Sequence, residues 1–210
     1  QELGVKNYKC SDINNSHDSI YIDLNKPLTN KKLFKKFDLV ADFGNNEHIF
    51  NVGEAYKTMY NLTKKNGHIW IFQAVFGGNG WFNFDSSFFE GYAAANNLSI
   101  VHSCYIICPS EYEQFVVPCN KDLFNLIDLT KVKKIDISYV FRKKTDKEFK
   151  YYYQYNLNKK DSPYSVSFIN NTYPPEKMYI PTMKINKYKK LAKQGNKEAI
   201  DWLRSIGKKF

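Results

Sequence analysis

The sequence predicts an α/β protein built on a mostly parallel sheet flanked by helices, and three observations carry that expectation. Phe37–Ala41 reads as a buried strand that runs without a polar break into the polar, glycine-containing turn Asp42–His48. Val52, Ala55, Met59 and Leu62 then recur at helical spacing and present one apolar face. Lys64-Lys65-Asn66-Gly67 supplies a stop, and a second apolar strand follows over His68–Phe76, interrupted only by Gln73. Strand, turn, helix, stop, strand is a parallel βαβ unit. In an open parallel sheet ligands sit at the carboxyl ends of the strands, which here is the turn Asp42–His48.

The bulk composition permits such a core. A length of 210 residues suits one α/β domain with elaborations, and 43% hydrophobic with 17% aromatic residues excludes a disordered chain. No run approaches the ~18 apolar residues a bilayer span needs, and no charged-then-apolar leader is present. A chain opening on Gln1 rather than Met is expected to lack residues upstream. The net charge of +10 invites a nucleic-acid reading, but Arg142 and Arg204 are the only arginines. Recognition of phosphates and base edges favours arginine forks, so the lysine excess reads as compositional bias, with RNA binding as a further alternative. Cys10, Cys104, Cys108 and Cys119 contain no CxxC pair and read as buried thiols of a reducing cytoplasm.

Taken in order, Glu2–Lys9 resembles a helix end, its glycine stop and entry to a strand that finishes at Cys10 or Ser11, ahead of Asp12-Ile13-Asn14. Ser19–Ile22 is a short strand followed by Asp23-Leu24-Asn25. Two successive strands thus end in an acid, and the third, Phe37–Ala41, ends in Asp42. Asp12 has an alternative role as a turn or cap residue, and Asp23 as part of a plain loop leading to Pro27. After the second βαβ strand, Val75–Phe84 combines Gly77, Gly78 and Gly80 with the large walls Trp81, Phe82 and Phe84; no Lys-Ser/Thr follows, so it is not a P-loop. Ser87 and Glu90 fit a capping box for a helix through Tyr92–Ala95. Ser99–Ile107 and Gln114–Val117 read as strands, and Ile135–Phe141 with Phe149–Tyr155 reads as an antiparallel edge hairpin. Residues 1–157 form the expected main domain. From Asn158 on, Pro163, Pro174, Pro175 and Pro181 punctuate an extended arm that leads to a helix capped by Asn196 and stopped by Gly207. That helix presents Ala199, Trp202, Leu203 and Ile206 on one face, for docking on the domain, for a homodimer contact, or for an anionic membrane surface.

These segments together resemble class I S-adenosylmethionine-dependent methyltransferases. The likeness lies in Asp12-Ile13-Asn14, Asp23–Leu28, Phe37–Val40, Glu47-His48-Ile49, Asn66–Ile69, Phe82–Phe84, Ser99–Ile106 and Ile135–Lys143, and the wording is closest to enzymes of bacterial capsular and surface polysaccharide clusters. The resemblance implies a Rossmann-like sheet and S-adenosylmethionine as cofactor, with S-adenosylhomocysteine as product. It implies that Asp12 and Ile13 hold the ribose, that Asp23 and Leu24 hold the adenine, and that Asp42, Phe43 and Gly44 face the methionine end. Trp81, Asn83 and Phe84 would line the pocket of a small or glycan-linked acceptor. The family's glycine-rich loop after its first strand has no counterpart, because no Gly-x-Gly surrounds Gly4.

A hydroxyl acceptor benefits from a base. His48, in the organising turn, is the candidate, with Glu47 as its rival for that role or as a cofactor contact. For His48 the alternative is to hydrogen-bond the turn or line the cofactor. His17, His68 and His102 have no partners at suggestive spacing, and no His-x-x-x-His or paired acidic motif indicates a metal.

Overall fold

The computed structural model describes residues 4–14, 16, 18–119, 123–152, 167–168, 182–205 and 209. The chain opens with two short parallel strands, β1 (Ser11–Asp12) and β2 (Ile20–Tyr21), which form a sheet of their own. Then come β3 (Phe37–Phe43), helix α1 (Val52–Leu62), β4 (Thr63–Phe76), α2 (Ser86–Ala95), β5 (Leu98–Cys108), β6 (Phe115–Pro118) and the single turn α3 (Leu123–Leu126). The series closes with β7 (Lys134–Lys143), β8 (Ser167–Phe168), α4 (Thr182–Lys193) and α5 (Lys197–Ser205).

The expected Rossmann-like, mostly parallel sheet is corrected by the pairing. The main sheet runs β3-β4-β7-β5-β6, and along that path only β3–β4 is parallel; β4–β7, β7–β5 and β5–β6 are antiparallel. A two-residue strand, β8, lies parallel to β5 beside Ser99 and Ile100. The physical reason is the position of β7. Its alternation Ile135, Ile137, Tyr139, Phe141 suggests a strand with one apolar face, but periodicity does not name the neighbours. In the segment expected to pair with it across a hairpin, Phe149–Tyr155, residues 149–152 form no strand. β7 inserts instead between β4 and β5 and reverses the local direction. Residues 153–155 of that expected hairpin, the prolines of the arm and Gly207 lie outside the described residues.

The core forms where α1 and α2 cover one face of this sheet. Ile69 and Ile71 of β4 lie opposite Phe141 and Tyr139 of β7, and all four are buried against Tyr56, Met59, Tyr60, Phe89 and Tyr92 from the helices. Much of that contact is aromatic, with Phe89 stacked on Tyr139 at 5.0 Å and Tyr92 edge-on to Phe141 at 5.5 Å. Residues 145–152 form a strap over the helices. Asn96 bonds both backbone groups of Lys150, and Tyr151 Oη donates to Glu54 Oε2 at 2.7 Å. The cap of α2 is Asp85, whose Oδ1 accepts from Ser87 N, so Ser87 is inside the helix rather than at its N-cap.

The C-terminal part contains one more helix than the sequence suggested, since α4 occupies a stretch read as extended. Asn196 caps α5 as expected, accepting from Ala199 N at 2.9 Å. The α5 face of Ala199, Trp202 and Leu203 packs on Tyr188, Leu191 and Ala192 of α4 and on Tyr112. Tyr112 Oη donates to Glu198 Oε1 at 2.6 Å, which ties the helix pair to the segment between β5 and β6.

Candidate functional site

The polar groups converge where the parallel pair β3–β4 ends. Asp42, the sixth residue of β3, is buried, and its carboxylate accepts from Asn45 N at 3.0 Å, Asn46 N at 3.2 Å and the side chain of Gln73. Gln73 Oε1 in turn accepts from Glu47 N at 3.2 Å. One strand-end acid and one strand glutamine therefore wind residues 45–48 into a fixed 3-10 turn. Gln73 is the polar interruption of an apolar strand, the signal by which its role could have been found in the sequence. Burial pushes the Asp42 carboxyl up to about 6, and the nearby Glu47 charge adds to the rise while the three hydrogen bonds oppose it.

That shift has a sign. A carboxyl whose folded pKa lies above its unfolded value contributes stability that is present at low pH and lost as pH rises through about 6. Asp42 is thus expected to contribute about 1.4 kcal/mol more stability near pH 5 than near pH 7.5. Urea unfolding of the wild type and Asp42→Asn at the two pH values measures it as a double difference. Equal pH slopes in the two proteins would refute the assignment.

Glu47 is the centre of the site. Its side chain is buried; Oε2 accepts from Ala74 N at 2.7 Å, and its carbonyl accepts from Trp81 N at 2.8 Å and Phe82 N at 3.2 Å. Its other carboxylate oxygen, Oε1, lies 3.6 Å from Nε2 of His48, whose side chain is 42% exposed. The ring is therefore held at the surface beside a buried acid that is itself fixed by the β4 backbone. Asp136, buried on β7, faces the same region. Burial raises its pKa, Lys134 Nζ at 2.9 Å lowers it and the Glu47 charge raises it.

The glycine loop closes over this acid. A Cβ on Gly80 would sit 2.6 Å from Glu47 Cγ and 2.9 Å from Glu47 O, so only glycine lets the loop lie on the Glu47 backbone. Gly80→Ala is expected to cost about 1–3 kcal/mol through this overlap and to displace Glu47 from His48. A drop in the thermal unfolding midpoint together with displaced NMR resonances of the His48 ring checks it; unmoved ring resonances contradict it. Above the acid stand Trp81, 69% exposed, and Phe50, 76% exposed, whose rings meet edge-on at 6.2 Å. Asn83 is exposed beside them, whereas Phe84 is buried in the aromatic core.

The cofactor candidates divide. β1 and β2 pair in parallel with Asp12 opposite Tyr21, so the Asp12 and Asp23 turns leave the same end of that small sheet. Asp12 accepts from Asn14 N at 2.7 Å and Ser16 Oγ at 3.3 Å; Asp23 accepts from Asn25 N at 3.0 Å and pairs with Lys26 at 3.0 Å. A carboxylate has about four acceptor positions, so both keep lone pairs free. The Asp23 turn is joined to the end of the Asp42–His48 loop, because Asn51 N and Nδ2 donate to Asn25 at 2.9 and 3.1 Å. Ile13 is exposed and Leu24 half-buried at those turns. Phe43 is 60% exposed, and its ring meets Trp70 at 5.0 Å; Gly44 follows with its N–H on Phe72 O. The Asp42 side chain, by contrast, is committed to its own loop. Among the described residues no group of three or more histidines, cysteines and acids is arranged to hold a metal, and none of the four cysteines is in a disulfide.

No family model matches the chain, and no curated protein is significantly similar to it.

Proposed function

We propose that the chain acts as an S-adenosylmethionine-dependent methyltransferase on a hydroxyl or phosphoryl oxygen of a small or glycan-linked acceptor, in the biosynthesis of a surface polysaccharide. The observation that carries the reading is the Glu47–His48 pair: a buried acid held by Ala74 N and 3.6 Å from an exposed imidazole, beneath the open rings of Trp81 and Phe50. An acceptor ring would lie on the aromatic faces, and His48 would take the hydroxyl proton while Glu47 stabilises the charged imidazole. The cofactor, when bound, supplies a methyl group already activated on a sulfonium. The protein's remaining task is alignment, which at its limit is worth ~7–11 kcal/mol. Asp12 and Asp23 retain acceptor positions suited to ribose hydroxyls and an adenine amino group.

One observation favours a second reading, a non-catalytic methyltransferase-like binding module: Asp12 and Asp23 already cap their own turns, and Asp42 is spent on its loop. Isothermal calorimetry with S-adenosylhomocysteine separates the two. Micromolar binding, about −8 kcal/mol, that is weakened by Asp12→Asn supports the enzyme; heat indistinguishable from dilution removes it and leaves the module. Among the described residues no helix is long and apolar enough to cross a membrane.

A further inference from the structure

The last two helices divide their residues between packing and charge. On α4, Tyr188, Leu191 and Ala192 fall on one arc and are used up against Ala199, Trp202, Leu203 and Tyr112. The opposite arc carries Lys187, Lys189, Lys190 and Lys193, three of them exposed and Lys189 half-buried. Helix α4 contains no Asp or Glu, and none of these four lysines has an ion-pair partner among the described residues. On α5 the nearby acids are engaged, Glu198 with Tyr112 Oη at 2.6 Å and Asp201 with Arg204 at 3.8 Å. An ordinary solvated helix face mixes signs, since like charges three and four residues apart repel. This one is a single-sign stripe, uncompensated locally, on a helix anchored by its other side.

We infer that the lysine arc of α4 is an adsorption surface for an anionic lipid bilayer. The interaction is electrostatic and without insertion, because the apolar arc and Trp202 that would enter the headgroup region are occupied inside the molecule. Charge complementarity with a flat, densely anionic surface is what one helical arc of lysines offers. RNA is the less favoured polyanion. Arg204 is the only arginine on the helix pair, and Tyr188 and Trp202, the aromatic rings that could stack bases there, are packed against each other at 4.5 Å. The inference is independent of the methyltransferase reading.

Vesicle co-sedimentation of the full chain tests it, using phosphatidylcholine with about 30% phosphatidylglycerol against phosphatidylcholine alone. The protein is expected to pellet with the anionic vesicles only, and to be released as salt is raised to about 0.5 M. Replacing Lys187, Lys190 and Lys193 by Gln should lower partitioning about a hundredfold, each lysine near such a surface contributing roughly fivefold. Removing the same charge at Lys31, Lys32 and Lys36 should leave partitioning nearly unchanged, with near-ultraviolet circular dichroism confirming that both variants are folded. Equal loss in the two variants would assign the effect to net charge and overturn the inference. So would binding to the zwitterionic vesicles, or tighter α4-dependent binding to polyuridylate than to vesicles.

Discussion

Glu47→Gln is expected, on the methyltransferase function proposed above, to lower methyl transfer about 10²–10³-fold with little effect on the affinity for S-adenosylhomocysteine. Glutamine keeps the shape of the side chain and leaves an oxygen to accept from Ala74 N, so the loop that lies on Glu47 through Trp81 N and Phe82 N is preserved. What disappears is the negative charge 3.6 Å from Nε2 of His48. An imidazole that has taken the acceptor's proton in the transition state then lacks the anion that would stabilise it, so turnover falls while cofactor binding does not. His48→Gln removes the base itself and should cost 10²–10⁴-fold. The split between turnover and cofactor affinity is the discriminating readout, because damage to packing lowers both. Full turnover in His48→Gln, or in Glu47→Gln, would remove acid–base chemistry from this pair.

How far the sequence reveals this arrangement depends on the range of the interaction involved. Helix α1 is legible to the residue: Val52, Ala55, Met59 and Leu62 mark its span, and the last three are buried. The tetrad Lys64–Gly67 is legible as a turn but sits inside a strand. Pairing of β4 with β3 jumps from Thr63–Phe37 to His68–Leu39, and Asn66 takes a positive φ. A Cβ on Gly67 would stand 2.9 Å from Asp38 O, so the residues that look like a helix stop form a bulge against the neighbouring strand. Direction of pairing is not legible. β7 finds β4 and β5 through pairings at least 26 residues apart in the chain, which alternation along one strand does not encode. The site shows the same division. Asp42, Glu47 and His48 stand out because acids and histidine follow an apolar strand, whereas Gln73, Gly80 and Asp136 join them only through the register of β3, β4 and β7 and the close approach of the glycine loop.

Lys143→Met is expected to destabilise the protein by about 3 kcal/mol, the largest single-residue effect outside the aromatic core. Lys143 ends β7 with 1% of its surface exposed, and Nζ donates to Tyr60 O at 2.9 Å and Thr63 O at 2.8 Å. Those carbonyls belong to the junction where α1 passes into β4 with no residue between them, so the lysine takes the place of a connecting loop as a C-terminal cap. The ammonium also lies 4.1 Å from the centre of the Tyr60 ring, while Tyr60 Oη donates to Thr145 O and Lys147 O and so holds the strap. Methionine fills the volume but donates nothing, leaving two buried carbonyls orphaned and the strap less firmly held. Asp146 is a poor explanation for the effect: it is 38% exposed and 3.6 Å away, and such a pair contributes well under about 1 kcal/mol. Asp146→Asn should therefore shift the urea midpoint little where Lys143→Met shifts it strongly. Comparable shifts in the two variants would mean that the ion pair, and not the cap on α1, holds this end of the sheet.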